Sequence, residues 1–82
     1  MGDNNSAANE TADGEVDVPL SPRECDVLLW LAKGLRSQRI AERLGIARVT
    51  VDMHMSNARK KLKATTREHA LAKAIQKGLI DP

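Results

Sequence analysis

Eighty-two residues allow one small domain with a modest core, and with Trp30 as the sole aromatic residue that core must be built from Leu, Ile, Val, Ala and Met. That palette suits helices over strands, while the single cysteine, Cys25, excludes an internal disulfide and offers no metal-ligand spacing. The formal net charge of +2 conceals a split: residues 1–18 hold Asp3, Glu10, Asp13, Glu15 and Asp17 with no Lys or Arg, so all 13 basic residues meet only the other six of the 11 acids. Such a surplus on the rest of the chain attracts polyanions, nucleic acid foremost; a merely solubilising surface is the plainer alternative. No apolar run approaches the roughly 18 residues of a membrane span, and no signal-peptide core is present, so a cytoplasmic protein is expected.

The stretch "MGDNNSAANETADGEVDVP" is acidic and poor in large apolar residues. It buries too little to offset the entropy of ordering itself, so residues 1–18 read as a disordered acidic tail or a linker. From Leu20 the punctuation sharpens. In "SPRE", Ser21 is placed as N-cap, Pro22 at the first helical position and Glu24 at the third, a capping box. Val27, Leu28, Leu31 and Ala32 follow at helical spacing and Gly34 supplies the stop, predicting a helix over about 22–33. A short helix over about 37–44 carries Ile40, Ala41 and Leu44 and ends at Gly45. A third runs about 48–63. The fourth, about 66–77, starts at "ATTRE", where Thr65 with Glu68 and Thr66 compete as N-cap. Its expected inner stripe is Leu71, Ala74 and Ile75, and Gly78 closes it. The fold class is therefore all-α, four helices without a strand, with 19–82 as the domain.

Only a few residues around Gly45 join the second and third helices. That is the spacing of a helix-turn-helix, whose second helix enters the major groove of DNA; an ordinary helical hairpin shares the spacing. The third helix is more informative. On a wheel of about 100° per residue, His54, Met55, Ala58 and Leu62 fall within roughly 60° of Val51 and form with it a core face. Opposite lie Val49, Met53, Ser56, Lys60 and Lys63, flanked by Asp52 and Arg59 on one side and Thr50 and Asn57 on the other. Arg59, Lys60 and Lys63 suit phosphates, whereas Asp52, Met53, Ser56 and Val49 suit base edges and thymine methyls. Asp52 is equally able to neutralise Arg48 or Arg59 locally. His54 reads as a hydrogen-bonded structural histidine, because no Cys, His or acid stands at metal spacing from it. Met53 and Met55 lie on opposite faces, which leaves Met55 as core filler. No nucleophile–base set, acid–base pair or phosphate loop marks an enzyme, and no cofactor or small-molecule site is expected.

Four blocks, "LSPRECDVLLWLAKGL", "IAERLGI", "TVDMHMSNARKKL" and "ATTREHALAKAIQKGLI", together resemble the LuxR/GerE-type helix-turn-helix domain over about residues 20–80. The H-x-x-N-A-x-x-K-L run and the "KAIxxGLI" ending are most similar to the quorum-sensing branch, whose members carry an acyl-homoserine-lactone domain upstream. The chain would then be an excised or truncated C-terminal half with the acidic tail as former linker. The resemblance implies a bacterial transcriptional regulator that reads DNA through Asp52, Met53 and Ser56. In it Thr50 and Asn57 touch the backbone or brace the turn; outside the family pattern, Arg36 and Arg39 add charge near the phosphate path, and Arg48 is a further backbone candidate. It also implies a weak homodimer through outward His69, Ala72, Lys73 and Gln76 of the fourth helix, on a two-fold site; RNA polymerase is a further candidate partner. Departures exist. Ala47 stands where many members have a serine cap, Arg36 and Arg39 replace a capping box before the second helix, and Cys25 and Leu29 occupy places usually polar and exposed. The nearest rival is region four of a sigma factor; a rival of another class is a truncated regulator that blocks full-length partners by pairing through its fourth helix.

Overall fold

The computed structural model describes residues 19–82, so the expected disorder of residues 1–18 lies outside the described residues. Four helices follow in order: α1 Pro22–Ala32, α2 Ser37–Leu44, α3 Arg48–Leu62 and α4 Arg67–Gln76. No strand forms among the described residues, and no helix there is long and apolar enough to cross a membrane.

The starts of the helices differ in quality. Ser21 accepts from the Glu24 N–H at 3.1 Å while the Glu24 carboxylate accepts from the Ser21 N–H at 2.9 Å, closing the expected capping box. Thr66 prevails over Thr65 as the cap of α4, its hydroxyl accepting from the His69 N–H at 3.0 Å. Neither α2 nor α3 has a side-chain cap, for Arg36 and Ala47 occupy those positions. The two helices joined by the tight turn therefore begin with first-turn N–H groups that no side chain caps.

All four helices end alike: the N–H just past the left-handed or turn residue reaches back five residues, Leu35 to Trp30, Ile46 to Ala41, Ala64 to Arg59 and Leu79 to Ala74, at 2.9–3.1 Å. Glycines 34, 45 and 78 supply the positive φ in three cases, but Lys63 does so after α3, at φ 56°. A lysine there is held against a penalty of about 1 kcal/mol. Lys73 explains part of the holding. Its ammonium donates to the Leu62 and Lys63 carbonyls at 3.0 and 3.1 Å, satisfying the end of α3 from α4.

The core is built from Val27 and Leu28 of α1, Ile40 and Ala41 of α2, Val51, Met55, Ala58 and Leu62 of α3, Ala70 and Ala74 of α4, and Ala64 and Ile80. The stripe expected on α4 is rotated: Ala70 and Ala74 are fully buried, Leu71 is half-buried and Ile75 is 42% exposed. Small side chains let α4 approach α3 closely, and the turn at Gly78 brings Ile80 back to cover the gap. Cys25 is half-buried and packs on the core, not the exposed residue its position suggested, and Leu29 is half-buried too. Burial first, then the charges of Asp26 and Glu24, push the Cys25 thiol up against the opposing pull of Lys61, so it stays protonated at neutral pH.

Candidate nucleic-acid interface

The turn that presents α3 is short. α2 closes at Gly45 in the left-handed region, Ile46 is half-buried, and Ala47 in extended backbone opens α3. Val51, Met55, Ala58 and Leu62 then face inward, as the wheel required. His54 sits at the margin instead of within the core: it is half-buried, and no protein group among the described residues hydrogen-bonds its ring.

The opposite face gathers most of the residues expected there. Val49 is 74% and Met53 50% exposed, an unusual placement for two large apolar side chains on an otherwise polar helix face. Asp52, Lys60 and Lys63 are exposed, whereas Thr50, Ser56, Asn57 and Arg59 are half-buried. Arg48 and Asp52 pair across one helical turn at 3.9 Å with both side chains more than half exposed, so the pair is weak and available to other partners. Arg59 leans towards the Thr65 carbonyl, its Nη1 donating at 3.4 Å. Arg36 stands apart, at the start of α2, where it lines a cleft with Gly34, Leu35, Arg39, Glu42 and Arg43.

Two lysines of the basic regions turn inward. Lys61 donates to the buried Glu24 carboxylate at 2.8 Å and to the Pro19 carbonyl at 3.2 Å, tying α3 to the start of α1. Burial alone would raise the Glu24 carboxyl, but the Lys61 ammonium and the Ser21 N–H and hydroxyl outweigh it and hold the group below its ordinary value. The wheel already puts Lys61 about 80° from Val51, beside the core face, a signal for its inward turn. Lys73 corrects an expectation: it is not an outward residue of α4, because the end of α3 engages its ammonium. His69, Ala72 and Gln76 are exposed as expected, joined by Ile75 and Leu79 at 42% and 43%. The sequence hides that apolar pair, because size and spacing place Ile75 on the inner stripe.

The arrangement is a helix anchored on one face and at its C-terminal end, presenting apolar, short polar and basic side chains outward. It can insert into a groove lined by phosphates and make base-edge contacts there. Comparison with known proteins identifies the family. The sequence profile described as "Bacterial regulatory proteins, luxR family" matches residues 18–74. The chain is 47% identical over 62 residues to the HTH-type quorum sensing-dependent transcriptional regulator VjbR of Brucella ovis, covering 76% of this chain and 24% of that protein. It is 41% identical over 64 residues to the transcriptional activator protein PhzR of Pseudomonas fluorescens, covering 78% and 26%. The chain thus spans about a quarter of the length of these curated relatives. Among solved structures it is similar to the transcription factor GerE, with a TM-score of 0.73 at 27% identity over 76% of this chain and 92% of that one. The response regulator ChrA of a heme-sensing two-component system superposes with a TM-score of 0.74 at 33% identity, covering 82% and 33%.

Proposed function

The chain belongs to the luxR family of bacterial regulatory proteins, DNA-binding transcription factors rather than enzymes, and from that premise we propose that it binds double-stranded DNA sequence-specifically with α3 in the major groove. The observation that carries the reading is the exposure of Val49 and Met53 between Asp52 and the bases Lys60 and Lys63, on a helix whose other face is buried. Asp52, Met53, Ser56 and Val49 meet base edges: Asp52 accepts from a cytosine amino group, and the apolar pair packs on thymine methyls. Arg36, Arg48, Thr50, Asn57, Arg59, Lys60 and Lys63 hold the backbone and set the register.

Pairing through α4 completes the reading. Ala72, Ile75, Gln76 and Leu79 offer a small apolar surface at which two copies meet about a two-fold axis, weakly in the absence of DNA. His69 lies at its edge. A pseudo-palindromic site follows from that symmetry.

In vitro selection from random duplex DNA at two salt concentrations tests both parts, since an enriched two-fold motif reports base reading and dimer symmetry together. Met53→Ala or Ser56→Ala changes preference among selected sites, whereas Lys60→Ala weakens binding to all of them. Unchanged DNA affinity at low salt after combined Lys60→Ala and Lys63→Ala would overturn the assignment of α3.

A further inference from the structure

The described residues hold a second concentration of positive charge away from the outward face of α3. Arg36, Arg39 and Arg43 recur at spacings of three and four residues, so they share one flank of α2, and with Gly34, Leu35 and Glu42 they line a cleft of about 460 Å³. No outward residue of α3 lines it. Neutralisation within the cleft is slight. Arg39 meets Glu42 only at 3.8 Å, with the side chains 77% and 59% exposed, and Arg36 and Arg43 enter no ion pair among the described residues. Arg43 lies over the Trp30 ring, 4.8 Å from its centroid. That contact holds the guanidinium beside the ring, and no acceptor among the described residues takes its N–H groups.

We propose that this cleft docks the chain's own acidic N-terminal segment, through the carboxylates of Asp3, Glu10 and Asp13. Charge complementarity is the first argument: residues 1–18 carry five acids and no Lys or Arg. Reach is the second. The segment joins the domain at Pro19, held beside the start of α1 by Lys61, and the cleft opens past the end of that 11-residue helix, about 16 Å further on. Asp13 and Glu10 extend to about 20 and 30 Å from Pro19, and Asp3 further, whereas Asp17 reaches only about 7 Å. Tethering is the third, since a short linker presents the acids at an effective concentration of about millimolar. A DNA phosphate is the rival anion, but the cleft is a concavity beside the α1–α2 turn, off the face that presents Val49 and Met53. Arg36 is shared with the backbone set proposed above, so docking competes with DNA at that residue; this consequence rests on the proposed function, whereas docking itself does not.

The test uses the 82-residue chain without DNA. Trp30 is its only tryptophan, so the indole N–H is a single NMR reporter beside the cleft. Replacing Asp3→Asn, Glu10→Gln and Asp13→Asn together shifts the Trp30 indole and the Gly34 and Leu35 amides at low ionic strength, and high salt abolishes the difference. Asp17→Asn alone leaves those signals in place. Shifts confined to residues 19–24, shifts along Val49 to Lys63, or shifts that grow with protein concentration would each overturn the proposal. They would mean, in turn, no docking, docking over α3, and docking between copies. With DNA added, the triple variant binds about threefold to tenfold more tightly, and the gain disappears when Arg39→Gln and Arg43→Gln are also present. A gain that persists in that background would identify long-range charge repulsion and refute competition at the cleft, while the signals recorded without DNA still decide docking.

Discussion

Replacing Lys61 by methionine isolates the ion pair that fastens α3 to α1. Met keeps most of the apolar stem but removes the ammonium 2.8 Å from Glu24, whose side chain is 5% exposed against 26% for Lys61. Stripping one partner from a fully buried pair costs roughly 3–5 kcal/mol. Here the loss is smaller, because the Ser21 N–H still bonds the carboxylate and Lys61 itself is partly solvated. We expect about 2–3 kcal/mol, which for a domain of this size lowers Tm by roughly 10–20 °C. Glu24→Gln costs less, about 1 kcal/mol, since the freed ammonium reaches water. The double variant loses less than the sum.

The pH dependence distinguishes this pair from generic packing. In the wild-type protein the Glu24 carboxyl titrates below its ordinary value of 4.5, so its contribution is fully present above that value. It is lost as pH falls through the folded pKa. In Lys61→Met only the Ser21 N–H and hydroxyl oppose burial, so the folded pKa rises from its wild-type position. The variant therefore loses part of the stability that the ionised carboxylate gives the wild-type protein at neutral pH, and that difference fades as Glu24 protonates. The gap between the two proteins therefore narrows on acidification in urea titrations followed by circular dichroism. A gap that is constant with pH, or one below about 0.5 kcal/mol at neutral pH, would refute the reasoning.

Three further substitutions probe the ends of α3. Lys73→Met removes two hydrogen bonds to the Leu62 and Lys63 carbonyls and costs about 1 kcal/mol, with faster amide exchange at Leu62 to Ala64; Lys73→Arg recovers part of both. Ala47→Ser supplies the missing N-cap at a backbone already in the cap conformation, φ −72° and ψ 150°, and raises the urea midpoint by the equivalent of about 1 kcal/mol. Lys63→Gly separates two roles of one residue: relief of the positive φ stabilises the fold by up to about 1 kcal/mol, while loss of a backbone-facing charge weakens DNA binding in a mobility-shift assay.

The helix boundaries were readable to within a residue because local chemistry sets them: Ser21, Pro22 and Glu24 at one end of α1, glycines at 34, 45 and 78 elsewhere. The inward face of α3 was readable for the same kind of reason, as one periodic stripe. What local pattern does not carry is the distance at which α4 packs. Ranking by size favours Leu71 and Ile75, yet close approach to α3 selects Ala70 and Ala74. The fates of Lys61 and Lys73 were hidden for a related reason. A lysine in a basic run is indistinguishable from its neighbours until its acceptor is known, and the Glu24 acceptor of Lys61 lies 37 residues away. The cleft at Arg36 was likewise invisible, since it needs the α1–α2 turn to bring Trp30 under Arg43.

Those fates change how the charge surplus translates into DNA binding. Lys61 and Lys73 are engaged internally, Arg59 leans on Thr65 and Arg48 is tethered to Asp52, leaving Lys60 of α3 and Lys63 just past its end as the exposed cations free of any such partner among the described residues. The affinity should fall with salt at a slope of about −0.9 per phosphate neutralised, hence about −2 to −4 per protomer rather than the steeper value the full surplus suggests. Asp52→Asn tests the tether directly. If Asp52 restrains Arg48 as the 3.9 Å contact indicates, the variant frees a cation for the backbone and steepens the slope by about one per protomer. Preference for the base pair that Asp52 faces relaxes at the same time, because an amide donates where a carboxylate only accepts. Relaxed preference with an unchanged slope would make Asp52 a base reader alone, and a steeper slope with preference intact would make it only the partner of Arg48. The exposure of both side chains, 67% and 54%, is what permits one carboxylate to serve both: Oδ2 faces Arg48 while Oδ1 remains open to a base edge.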